Sequence, residues 1–218
     1  MKITNLIVTT LLATTLNAQA GTQANDRKNN IKVEVLKNAT MPQTDYAAAM
    51  IAKNIPTLDK GWKVKISIAN DNNLPAEGFT ISRKGKTVTI TGNDASGAIY
   101  GANRLAEYYK LNGDINISAD ITEAPEMKIR GGCIGLQKTY YLPGHKVYEY
   151  PYTPENFPWF YDKELWIKYL DMLAADNMNA VFLWNGHPFA SLVKLDDYPF
   201  APEVDDATLE KNQEMFSF

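Results

Sequence analysis

Thr91-Gly92-Asn93-Asp94-Ala95-Ser96-Gly97-Ala98-Ile99-Tyr100-Gly101-Ala102-Asn103-Arg104-Leu105 is the stretch on which the fold turns. It joins an alternating run, Lys86 to Thr91, to a run of helical period in which Ile99, Leu105 and Tyr109 share one face. Asp94 or Ser96 is of the type that caps a helix start, so a helix is expected from about Ala95 to Lys110. The glycines read as places where turn and helix press close to a sheet, with Ile99 and Leu105 filling the layer between.

Working toward the amino end, Lys86 to Thr91 pairs with Phe79 to Arg83 as an antiparallel hairpin turning at Lys84-Gly85. Val64, Ile66 and Ile68 alternate with polar residues and predict another strand, as do Ile31, Val33 and Val35. Between them a helix is expected from about Asp45 to Asn54, with Tyr46, Ala49, Met50 and Ile55 as its apolar stripe and Pro56 as its stop. Strand, helix, three strands and helix make a small α+β domain, placed at residues 31–124.

Beyond the breaker Glu123-Ala-Pro-Glu126 the pattern changes. Met127 to Leu136 is mostly apolar with two glycines and reads as a strand buried on both faces. A long loop, Gln137 to Tyr161, leads to a helix capped by Asp162 and carrying Leu165, Trp166, Tyr169, Leu170 and Leu173. Ala180 to Trp184 is a second apolar strand, and Asp205-Asp206 start a third helix. Strand, loop, helix, strand, loop, helix is the opening of a parallel α/β unit. A (β/α)8 TIM barrel takes ~250 residues, whereas 92 run from Met127 to Phe218. Residues 125–218 are therefore expected to be an incomplete barrel, the alternative being an unusual compact fold.

The 218 residues carry 22 Lys plus Arg against 25 Asp plus Glu, a net charge of −3 that gives the chain as a whole no polyanion-binding profile and argues against a nucleic-acid partner. At 45% apolar and 22% charged residues the composition is globular rather than disordered or membrane-spanning. Lys2, the apolar run Leu6 to Leu16 and Ala18-Gln19-Ala20 read as an export signal over residues 1–20, too short for a membrane span of ~20 residues. Cleavage near Ala20 would leave a flexible leader at 21–30 and an exported protein, periplasmic or extracellular. Cys133 is the only cysteine, so no internal disulfide is possible, and it is expected to be a small buried hydrophobe.

The run from Thr91 to Leu105 resembles the strand-to-helix junction of the small domain that precedes the catalytic barrel in glycoside hydrolase families 20, 67 and 84, where the pattern is roughly I-x-G-x-D-x-x-G-x-x-Y-G-x-x-x-L. Arg130-Gly131-Gly132 resembles the Arg-Gly opening the first barrel strand in families 20 and 84. Asn179-Ala-Val-Phe-Leu-Trp-Asn185 is similar to the second strand of the α-glucuronidase family 67. The resemblance implies a hexosaminidase-like small domain followed by a barrel that hydrolyses O-glycosyl bonds of poly- or oligosaccharides, α-glucuronidase-like or related. Alternatives are a β-N-acetylhexosaminidase and a non-catalytic carbohydrate-binding module. This chain has Gly135 and Lys138 where family 20 places a substrate-holding Asp and Arg, lacks the acid and aromatic that family 84 would show near Ile134 and Gln137, and lacks the His-Trp-Asp cluster of family 67. It is read as a relative with its own specificity.

Glycoside hydrolysis uses two carboxyls, and in such barrels they follow later strands. Glu149, Glu155, Asp162, Asp196, Asp197, Asp205 and Asp206 read as loop or capping acids, and none is nominated as catalytic. Binding residues are sought on the loops after the two strands. Nine of the 24 aromatics fall between Tyr140 and Tyr161, and aromatic faces stack on the C–H faces of sugars. Tyr140, Tyr141 and Trp159 are candidates there, with the alternative that Tyr148, Tyr150, Tyr152, Phe157, Trp159 and Phe160 form a small core of the proline-rich loop. Lys138 could pair with a uronic acid. Asn185 and His187 offer donors and acceptors to sugar hydroxyls or a carboxylate. His145 and His187 are the only histidines and sit at no metal-binding spacing, and Gly131-Gly132 is no phosphate cradle, so neither metal nor cofactor is expected.

Overall fold

The computed structural model describes residues 31–56, 58, 61–69, 71, 73–135, 152–184, 191–194, 196–198 and 204–218. The chain divides into two compact units between Lys128 and Ile129.

The first unit contains β1 (Lys32–Val35), α1 (Pro42–Asn54), β2 (Lys63–Ile68), β3 (Phe79–Lys84), β4 (Thr87–Gly92), α2 (Ala95–Asn112) and β5 (Ile121–Glu123). The strands form one mixed sheet in the order β1-β2-β4-β3-β5. α1 carries the chain back between β1 and β2, which therefore run parallel, and the β3–β4 hairpin brings β4 parallel to β2 on its other side. The strands alternate: Val64, Ile66, Phe79, Ile81, Val88 and Ile90 are buried on one face, while their neighbours Lys, Ser and Thr lie on the other. Ala47 and Ile51 of α1, Ile55 just past its end, and Ala98, Ile99, Ala102 and Leu105 of α2 close the buried face. Each fully buried Ile or Leu contributes about 1.5–3 kcal/mol.

The glycines at the strand-to-helix junction have steric reasons. A Cβ on Gly97 would strike the carbonyl of Gly78, and one on Gly101 would lie 2.5 Å from Ile90 Cγ2 and 3.2 Å from the Phe79 ring. Asp94 caps α2 by accepting from Gly97 N at 2.8 Å and also accepts from Glu77 N at 2.7 Å. Asn93 accepts from Asp71 N at 2.6 Å and donates to the carbonyl of Leu74 at 2.8 Å. The junction thus holds the loop between β2 and β3 as well as starting the helix.

Four details of this unit differ from the sequence expectation. α1 begins at Pro42, not Asp45, because Pro42 suits the first helical position and Thr44 folds back to accept from Met41 N at 3.3 Å. Its buried stripe is Thr44, Ala47, Ile51 and Ile55, with Ala49 exposed. The hairpin turns on Gly85-Lys86, since Lys84 pairs with Thr87 and Gly85 takes a φ of 61°. β5 was not expected: three residues are too few to show a period, and the strand is defined by pairing Ile121 with Ile81 and by the ion pair of Glu123 with Arg104 at 2.9 Å.

In the second unit β6 (Gly131–Gly135) and β7 (Ala180–Trp184) run parallel, joined through α3 (Lys163–Ala175), and α4 (Asp206–Ser217) follows. The strands start in register because Asn179 N and Ala180 N donate to the carbonyl of Arg130 at 2.8 and 3.0 Å, while Arg130 Nε donates to the carbonyl of Asn177 at 2.8 Å. Arg130 therefore anchors the amino ends of both strands. A side chain on Gly132 would meet the Tyr169 hydroxyl of α3 at 2.6 Å, so α3 lies over that face. The opposite face carries Cys133 beside Phe182, and both are exposed. This corrects two expectations: β6 is not buried on both faces, and Cys133 is not a buried hydrophobe. One helix covers only one side of a two-stranded sheet.

Candidate functional site

The loops leaving the carboxyl ends of β6 and β7 are described at residues 152–161 and at 191–194 with 196–198. Tyr152, Phe157 and Phe160 are buried together, with Tyr161, Trp166, Leu183 and Met215 packed around them. The Tyr152 and Phe160 rings lie 5.0 Å apart, and Phe157 meets Tyr152 edge-on at 6.2 Å. These three aromatics form the loop core that the sequence admits for them, whereas Trp159, admitted for both the core and the sugar-contacting role, is only partly covered.

Trp159 stands on the short 3-10 turn Pro158–Tyr161, 37% exposed, its ring 6.0 Å from Trp166 and 6.4 Å from Phe160. Trp166 is held in turn by its Nε1, which donates to the carbonyl of Phe160 at 2.7 Å. Trp159 thus rests on a fixed aromatic base with part of its surface open to a ligand. Lys138, Tyr140, Tyr141, Asn185 and His187, together with Glu149, Tyr148, Tyr150 and His145, lie outside the described residues.

A polar network that sequence reading did not single out joins the two loops. Asn212 of α4 is fully buried and donates to the carbonyls of Tyr152 at 2.9 Å and Ser191 at 2.8 Å. Its Oδ1 accepts from the Tyr161 hydroxyl at 2.5 Å, and Ser191 Oγ accepts from Tyr152 N at 2.8 Å. Burial, and secondarily the negative charge of Glu155, pushes the Tyr161 phenol up to about 12. Every member has a partner, so the network fixes the loops rather than leaving strain. Nothing in the sequence marks Asn212, because a polar residue within a polar helix carries no period of its own.

Of the acids in these segments, Asp162 caps α3 by accepting from Leu165 N at 3.0 Å and Asp205 caps α4 by accepting from Thr208 N at 2.7 Å. The hydrogen bonds from Thr208 hold the Asp205 carboxyl below its ordinary value. Asp206 pairs with Lys194, while Glu155, Asp196 and Asp197 are exposed. Among the described residues no group of three His, Cys, Asp or Glu is placed to hold a metal ion. The arrangement offers aromatic stacking on a rigid support and hydrogen bonding at its edges.

The family model of glycosyl hydrolase family 20, domain 2, matches residues 8–129. No curated protein matches the chain. Among solved structures it is similar to a GH138 enzyme targeting pectin rhamnogalacturonan II, at 47% identity and a TM-score of 0.72 over 85% of this chain and 28% of that one. That share of the chain is too large to be confined to residues 1–129. It is similar also to CpGH84B, at 14% identity and a TM-score of 0.46 over 85% of this chain and 31% of that one. The GH20 β-N-acetylhexosaminidase from Streptomyces coelicolor A3(2) follows at 13% identity and a TM-score of 0.45, covering 78% of this chain and 33% of that one. The chain thus spans about a third or less of the length of these proteins.

Proposed function

Because the chain belongs to the family of glycosyl hydrolase family 20, domain 2, matched over more than half its length, we propose that it is the amino-terminal part of an exported glycoside hydrolase acting on a pectic glycan. The observation that carries this reading is the 47% identity to the pectin-targeting GH138 enzyme, which extends beyond the small domain. In this reading the first unit is the hexosaminidase-like small domain and β6, α3, β7 and α4 open a (β/α)8 barrel. The sugar then sits on the loops at the carboxyl ends of β6 and β7, as in other such barrels. Trp159 supplies a stacking face, and Lys138, Tyr140, Asn185 and His187 belong to the same loops as hydroxyl- and carboxylate-binding residues. The two carboxyls that protonate the leaving oxygen and attack or activate water belong to later strands, so the 218 residues alone do not hydrolyse. The export signal at 1–20 supports a periplasmic or extracellular site of action, where such polymers are met.

A uronic-acid specificity, α-glucuronidase-like or related, is the finer form of this reading, supported by the second-strand resemblance and the pectic relative. A β-N-acetylhexosaminidase is the second reading, favoured by the family 20 character of the domain. The two separate on substrate. A native protein carrying this chain is incubated with rhamnogalacturonan II oligosaccharides, an aryl glucuronide and an aryl N-acetylhexosaminide. Release of a uronic acid from the first or second supports the first reading, and release of N-acetylhexosamine alone replaces it with the second. Hydrolysis by the 218-residue chain itself would remove the claim that the catalytic carboxyls lie elsewhere.

A further inference from the structure

We propose that the open face of the five-stranded sheet is an accessory binding surface for the carboxylate-bearing chain of a galacturonan, a proposal that rests on the pectic reading above. The strand register places Lys32, Lys63, Thr87 and Lys84 side by side across β1, β2, β4 and β3, on the face that the helices leave open. The next row on that face is Glu34, Lys65, Thr89 and Ser82, and the row after it consists only of serine and threonine. Lys32, Lys63 and Lys84 are exposed and Lys65 is half-buried. Among the described residues none of these four lysines forms an ion pair, and the one acid in the rows is Glu34.

Like charges directly opposite one another in a sheet are destabilising, so the pairing of Lys32 with Lys63 works against the fold. Lysines that guard a sheet edge are common, which accounts for Lys32 on the outer strand β1. It does not account for Lys63, whose strand is flanked on both sides. With strands ~4.8 Å apart, the lysine row spans three strand steps, about 14 Å. The face therefore presents spaced positive charges beside rows that end in hydroxyls. A polymer of uronic acids has the complement: regularly spaced carboxylates to meet ammonium groups, and hydroxyls to exchange hydrogen bonds with Ser and Thr. The overall charge of −3 conceals the surface, because these rows gather four lysines with one acid.

The test uses the whole 218-residue chain and de-esterified oligogalacturonides in affinity electrophoresis and calorimetry. Binding is expected at low salt, weakens as salt screens it, and disappears when the carboxyls are methyl-esterified. The triple variant Lys32→Gln, Lys63→Gln, Lys84→Gln is expected to bind roughly tenfold or more weakly, with a Tm unchanged or higher. Trp159→Ala, in the other unit, retains this binding. Equal binding by the triple variant, equal binding of the esterified sugar, or equal binding of heparin or polyglutamate would each overturn the proposal. If a longer native protein releases sugar from no pectic glycan while the lysine face still takes oligogalacturonide, the activity reading falls and the surface stands. If it degrades pectic polymer and the triple variant binds and degrades it equally well, the surface alone falls.

Discussion

The two units reach stability by different means. In the first, a sheet face of Val, Ile and Phe is closed by two helices, and its other face is polar. In the second, a two-stranded sheet has one face under α3 and the other bearing Phe182 at 63% exposure beside Cys133. What holds the second unit's loops is a small aromatic cluster and a buried amide on α4. Apolar burial is non-directional and tolerates small adjustments, whereas a buried hydrogen-bond network either keeps all its partners or leaves polar groups stranded. The first unit is therefore expected to lose stability in proportion to the apolar volume removed, and the second to lose it by the number of hydrogen-bond partners removed.

The largest effect expected is in the first unit. Ile66→Ala empties a fully buried position between β2 and the helices and should cost about 2–5 kcal/mol. Urea unfolding followed by hydrogen exchange should show β2 and β4 amides losing protection while those of α3 do not. Simultaneous loss in both units would merge them into one cooperative body and dissolve the comparison.

Asn212→Ala comes next. It removes the donor to the carbonyls of Tyr152 and Ser191 and the acceptor for the Tyr161 hydroxyl, at about 1–3 kcal/mol for the buried hydrogen bonds lost. Near-ultraviolet circular dichroism should report the loosened aromatic cluster, with the first unit unchanged. A spectrum and midpoint equal to the parent chain's would mean that the apolar cluster alone holds the loops.

The same network carries a pH dependence. The Tyr161 phenol is pushed up to about 12 from an ordinary 10, so between those values the unfolded chain loses its proton before the folded one does. The contribution is fully present below pH 10 and is lost as pH rises toward 12. Because the ring is only partly buried, the effect is smaller than that of deleting Asn212. Alkaline unfolding of the second unit should steepen in that window and flatten in Tyr161→Phe, and an identical profile in the variant would assign the dependence to other groups.

Legibility in the sequence follows the same division. Periodicity revealed β1 to β4, α2 and α3, since each turns a repeating apolar side toward its own unit, although Leu165 of the expected α3 stripe is exposed and Leu173 is its one buried member. The strand-to-helix run carried the family, since Gly97 and Gly101 admit no side chain where they pack and Asp94 has two backbone donors to satisfy. β5 and the start of α1 were not legible, because pairing with β3 and the Thr44 fold-back are local decisions without a repeat. Of the candidate site, aromatic enrichment pointed to the loop but could not separate the buried Tyr152, Phe157 and Phe160 from the open Trp159. Asn212 and the lysine face needed three dimensions: one is a single residue joining two loops, the other a row assembled from four strands.

The smallest effect expected is the one that sharpens the contrast most. Phe182→Ser replaces an exposed aromatic on the open face of β7 and should change the stability of the 218-residue chain by less than about 0.5 kcal/mol, while improving its solubility. If β6 and β7 belong to a barrel in a longer protein, the face opposite α3 points into the barrel interior and is buried there by inward-facing side chains of the other strands, and the same substitution should cost about 3–5 kcal/mol, as for loss of a core aromatic. Urea midpoints for both lengths, each with and without the substitution, give the answer as a difference between differences, which removes any effect of Ser on strand propensity. A large cost at both lengths would mean that the face is already covered in the short chain. A negligible cost at both would mean that nothing covers it in either, and the second unit would then have to be counted as a two-stranded sheet complete in itself.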